Sequence, residues 1–125
     1  MAINEEQSQA AIAAELEETA RTLAHSTRTV ASPIDSYRMI GDVRDTSDHL
    51  AQVSEQLAAW HRRTQDGVHY DGEDNRGDGT GAAQTAAGLD RASAAFRTAA
   101  DELRGALNAN SVIRWFDEPE TTEEP

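Results

Sequence analysis

The sequence predicts an all-α protein, a three-helix antiparallel bundle with coiled-coil-like seams. Three observations point there. Apolar residues recur at spacings of three, four and seven along three separate stretches. Proline and a long acidic, glycine-rich segment punctuate the chain between those stretches. The length of 125 residues suits a single core, whereas a division would leave two pieces too small to bury much.

The first helix is predicted over about residues 5–30. Asn4 is a good N-cap, and Glu5 and Glu6 suit the positive end of the helix dipole. Ile12, Leu16, Leu23 and Val30 then form a heptad-like stripe with Ala20, Ser26 and Thr27 beside them, while Glu15, Glu17, Glu18, Arg21 and Arg28 take the other faces. The stripe stops at Ala31-Ser32-Pro33, because proline disfavours helical geometry in the residue before it.

Ser32-Pro33 also opens the second helix, predicted over about 34–65, since proline fits a first helical turn and serine can cap the amides beyond it. Asp35 is a second candidate cap. Met39, Ile40, Val43, Leu50, Val53, Leu57 and Trp60 make the stripe, interrupted by Thr46 and Ser47. Gly41 inside it predicts a bend or a close helix crossing. The helix is predicted to end near Gln65-Asp66-Gly67, with His61, Arg62 and Arg63 complementing the dipole.

Residues 66–81 read as a long solvated loop. The third helix, about 82–108, carries Leu89, Phe96, Leu103 and Leu107 with Ala92, Ala99 and Ala106 between them. Residues 111–116 are short and apolar, and 117–125, with five acids and two prolines, read as a disordered acidic tail. The single domain is therefore placed at 1–116. So many alanines and so few large side chains imply marginal stability as a monomer, which points towards self-association or a protein partner.

Charge and composition exclude several classes of function. The net charge is -12, from 23 acids against 11 basic residues that are all arginine. Such a chain repels phosphate backbones, so direct nucleic-acid binding is not expected. No cysteine is present to form a disulfide, a thiolate site or a thiol nucleophile, which suits a reducing cytoplasm. No basic, apolar leader and no run of about 20 apolar residues is seen, so neither export nor membrane insertion is expected.

Motifs that could carry chemistry fail on their registers. Counted as a calcium loop from Asp74, the segment places Arg76 and Thr85 where ligands belong. Arg76-Gly77-Asp78 is a tripeptide common by chance. His25, His49, His61 and His69 form no Glu-x-x-His pair, and Asp45 with His49, one turn apart, reads as a surface pair. No nucleophile elbow or phosphate cradle is present. The sequence therefore predicts no catalytic residue, no cofactor and no metal site, and hence no enzyme.

The interaction candidates are aromatic. Trp60 and Tyr37 are predicted to cap the core near opposite ends of the bundle, and Trp115 and Phe116, beyond the last helix, either fold back on it or anchor a partner. The function these features support is a non-enzymatic cytoplasmic interaction module, an adaptor, regulator or self-associating scaffold. The alternative is an acidic mimic of nucleic acid that inhibits a DNA- or RNA-handling protein.

Ser36-Tyr37-Arg38-Met39-Ile40, Leu57-Ala58-Ala59-Trp60-His61-Arg62-Arg63 and the alanine-rich third helix resemble uncharacterised small helical proteins of high-GC actinobacteria, some carried on mobile elements. That resemblance implies no activity, substrate or site. Size and acidity are also similar to those of the secreted helical hairpins named for a Trp-x-Gly turn. Trp60-His61-Arg62 departs from that motif by lacking the glycine, and Tyr70-Asp71-Gly72-Glu73-Asp74 has the family's Tyr-x-x-x-Asp/Glu export spacing only inside a loop.

Overall fold

The computed structural model describes residues 5–63 and 81–113, which form three helices and no strand: α1 (Glu5–Ser26), α2 (Pro33–Arg62) and α3 (Gly81–Asn110). Their existence and order agree with the sequence pattern. Asn4, the Gln65–Gly67 helix end, nearly all of the acidic loop, Trp115, Phe116 and the tail lie outside the described residues.

Each helix boundary has a local cause. α1 ends four residues before the predicted limit, where Thr27, Arg28 and Thr29 donate backbone bonds to Leu23, His25 and Ser26 and close the last turn. The α2 start follows prediction. Ser32 is extended, with φ -159° and ψ 161°, and its Oγ accepts the Asp35 amide at 3.3 Å, with Pro33 in the first turn. α2 ends at Arg62, three residues short of the predicted end, and the amide of its cap Arg63 donates to the Trp60 carbonyl at 3.0 Å. α3 runs to Asn110, after which Ser111, Val112 and Ile113 still donate to carbonyls of the final turn.

Only α2 and α3 pack on each other, and α1 packs on neither. The packed unit among the described residues is thus a two-helix hairpin, where the sequence led us to expect three helices around one core. The hairpin is antiparallel. Arg62 pairs with Asp90 and Glu55 with Arg97, so seven residues back along α2 correspond to seven forward along α3.

The seam itself is lined by small side chains. The buried residues are Ser47, Ala51, Ser54 and Ala58 from α2 and Ala86, Ser93 and Ala100 from α3. These recur at four and three, or at seven, so each set runs straight along its helix. With so little side chain between them the backbones come close, and dispersion between many atoms replaces the interdigitation of large residues. Met39, Ile40, Val43 and Leu50 of α2, and Leu89, Phe96, Leu103 and Leu107 of α3, are half-buried along the edges of the seam. Gly41 takes no part in a close crossing. A Cβ added there would meet nothing within 4 Å, because the close approach occurs at the alanines and serines instead.

Candidate protein-interaction surfaces

Among the described residues, apolar surface is exposed along α1, along the far half of α2, and around Ile34, Tyr37, Val112 and Ile113. On α2 the seam occupies the line Ile40, Arg44, Ser47, Ala51, Ser54, Ala58, His61, all buried or half-buried. One residue earlier at every step lies the line Met39, Val43, Thr46, Leu50, Val53, Leu57, Trp60. One residue is about 100° of helix rotation, so packing the first line against α3 swings the second towards solvent. Val53, Leu57 and Trp60 are 47%, 47% and 48% exposed. On α1 the whole stripe is open, with Ile12 at 52%, Leu16 at 41% and Leu23 at 38%.

These values correct the sequence reading of Trp60 and Tyr37 as caps of the core. Trp60 is about half exposed and sets its ring edge-on to His61, with centroids 4.9 Å apart and planes at 88°. Tyr37, 38% exposed, lies at the opposite end of the hairpin, in an open cleft of about 370 Å³ lined by Ser32, Pro33, Ile34, Tyr37, Asn110, Ser111 and Ile113. Trp115 and Phe116 follow this end in sequence but are outside the described residues. Val53 and Leu57 have the spacing of core residues and are nevertheless exposed. Only the identity of the neighbouring small-residue line, Ser47, Ala51, Ser54 and Ala58, could have signalled otherwise.

The hairpin's polar links lie on its rim. Glu55 Oε2 accepts bonds from Arg97 Nη2 at 2.9 Å, Arg97 Nε at 3.3 Å and Ser93 Oγ at 3.1 Å. The Arg97 hydrogen bond, followed by that of Ser93, holds the Glu55 carboxyl below the usual carboxylate range, and Glu55 in turn raises Arg97. Arg62 and Asp90 form a second bridge between the helices. In α1 Arg21 reaches Glu17 at 2.7 Å, and just beyond it Arg28 donates through Nε to the His25 carbonyl at 3.2 Å.

Charge is unevenly spread. α2 carries five carboxylates against three arginines and α3 three against three, so the two packed helices together hold -2 of the chain's -12. From His49 to Arg63, Glu55 is the one carboxylate, and it is bridged to Arg97. This end of α2, which bears Val53 and Leu57, is therefore neutral to basic in an acidic protein.

No grouping of three or more metal-binding side chains occurs among the described residues. Asp45 accepts the Arg44 guanidinium at 3.0 Å. No described helix is long and apolar enough to cross a membrane. No protein family, curated protein or solved structure matches the chain.

Proposed function

We propose that this chain is a non-enzymatic protein-interaction module of the cytoplasm that works by helix pairing. The observation that carries the reading is the pair of exposed apolar stripes, one along α1 and one along the far half of α2, beside a hairpin already closed by its small-residue seam. Large apolar residues one turn apart on an open helix face, as at Ile12 and Leu16 or at Val53, Leu57 and Trp60, are the form in which amphipathic helices pair with other chains. Covering the α2 stripe with a further helix would complete the three-helix core that the sequence pattern encodes.

The acidic-mimic alternative is disfavoured by where the charge lies. A mimic needs carboxylates fixed along a rigid face, and the packed hairpin holds few in excess. The test is photocrosslinking in producing cells, with a photoreactive residue at position 57 and, as control, at exposed Thr98. Discrete protein adducts are expected at 57 and not at 98. The same adducts at both positions, or none at either, would sink the reading.

A further inference from the structure

We infer that the cover for the Val53–Leu57 stripe is α1 of a second copy of this chain, laid antiparallel along α2 with Ile12 level with Leu57 and Leu16 level with Val53. The inference rests on the interaction-module reading and names its partner.

Three independent features lead to it. The first is spacing. The α1 line runs Gln9, Ile12, Leu16, Thr19, Leu23, Ser26, in steps of three, four, three, four, three. Read backwards from Trp60, the α2 line runs Leu57, Val53, Leu50, Thr46, Val43, again in steps of three, four, three, four, three. Set antiparallel, every level then holds at least one large apolar side chain: Gln9 with Trp60, Ile12 with Leu57, Leu16 with Val53, Thr19 with Leu50, Leu23 with Thr46, Ser26 with Val43. Polar Thr19 and Ser26 meet Leu50 and Val43, and polar Thr46 meets Leu23, so no level is polar on both sides. This is the a-to-d layering of an antiparallel coiled coil.

The second is charge. From Glu5 to Glu18 the sequence holds five carboxylates and no cation, whereas His49 to Arg63 is the neutral-to-basic end of α2. Antiparallel docking brings these two ends together, and parallel docking would not.

The third is reach. In this register Ser26 stands level with Val43, ten residues above Pro33, a rise of about 15 Å at 1.5 Å per residue. Crossing between helix axes adds a lateral step of about 9 Å. Thr27, Arg28 and Thr29 are tied into the last turn of α1, so the span from Thr29 to Pro33 has only four steps, about 14 Å when fully drawn out. A chain's own α1 reaches this register only with its connector taut. One heptad lower the connector is relaxed, but Leu57 then stands level with Glu5 and stays open. A second copy has no such tether, and reciprocal docking covers both stripes of both chains.

The test uses the full-length protein, whose lack of cysteine permits engineered disulfides. Light scattering on the purified chain at about 100 µM should give a dimer mass. Leu16→Ala should weaken the dimer by at least about thirtyfold, the scale of removing one well-buried leucine from an interface. Diluted until both are monomers, the variant and the wild type should show the same helix content by circular dichroism, because Leu16 is exposed within its own chain. Mixing Ile12→Cys chains with Leu57→Cys chains under a glutathione redox buffer should give a disulfide-linked heterodimer, and mixing Ile12→Cys with Val43→Cys should not.

A monomer at that concentration overturns the inference and leaves the interaction module to a foreign partner, which adducts at position 57 would then reveal. A dimer that forms both disulfides equally, or that ignores Leu16→Ala, overturns it as well while keeping self-association. Ile12→Cys/Leu57→Cys in one chain closing only within that chain would place α1 on its own hairpin, and would overturn the second copy.

Discussion

The α2–α3 seam and the α1 stripe share a heptad spacing and are made from opposite kinds of side chain. The seam, with alanine and serine, is buried; the α1 stripe, with isoleucine and leucine, is exposed. The difference teaches that hydrophobicity alone does not choose what is buried in this chain. Two helices with small residues face to face can bring their backbones together over many turns, and the contact energy then comes from backbone and methyl atoms in large number. A stripe of large residues needs a groove to enter, and the hairpin's own groove is already occupied by its second helix.

The contrast can be broken most sharply by amide hydrogen exchange in solution dilute enough to hold the chain as a monomer. An unpacked helix of 22 residues is marginal in water, so the α1 amides should exchange at least about a hundredfold faster than those around Ala51 and Ala100. Equal protection in all three helices would mean that α1 is packed after all. At concentrations where copies pair, protection of α1 should rise, which sharpens the same comparison.

A smaller effect probes the closeness of the seam. Ala51→Leu inserts a large group at a fully buried position of the seam and should destabilise the protein by about 1–3 kcal/mol, read as a lower urea midpoint. The matching change on the exposed face, Ala14→Leu in α1, should leave stability within about 0.5 kcal/mol. If both changes are neutral, the seam is looser than described.

Next comes the α2 cap. Ser32→Ala removes the acceptor of the Asp35 amide and should cost about 1 kcal/mol, whereas Ser32→Asp should retain most of it. Chemical denaturation of the three proteins side by side measures this. An unchanged Ser32→Ala protein would show that the turn after α1, and not the cap, fixes the start of the hairpin.

Acidification has the smallest expected effect. The folded-state pKa of Glu55 is lowered, so its contribution is fully present above the ordinary carboxylate range and is lost as pH falls through the lowered value. The urea midpoint of the wild type should therefore fall below about pH 4 more than that of Glu55→Gln. Parallel acid profiles for the two would remove the Glu55–Arg97 link from the account. Because the pair is exposed, the difference should also shrink at high salt.

Most of the secondary structure was legible in the sequence. Ser32-Pro33 marks both the end of one helical region and the cap of the next, and the three heptad-like stripes mark three helices. The candidate surface was half legible. Trp60 and Tyr37 stand out in the sequence as aromatic candidates, yet as core caps, and spacing alone places Val53 and Leu57 in the core.

The sequence by itself thus determined where helices form, their amphipathic spacing, and the concentration of acid outside the helices that pack. These follow from local propensity, capping and composition, each acting within a turn or two of chain. The tertiary structure alone decided which of two lines on α2, one residue apart, faces α3. Hydrophobicity favours Met39, Val43, Leu50, Val53 and Leu57, and shape favours Ser47, Ala51, Ser54 and Ala58. Shape prevailed because α3 presents Ala86, Ser93 and Ala100 in the same register, and a close approach between helices requires small residues on both of them at once.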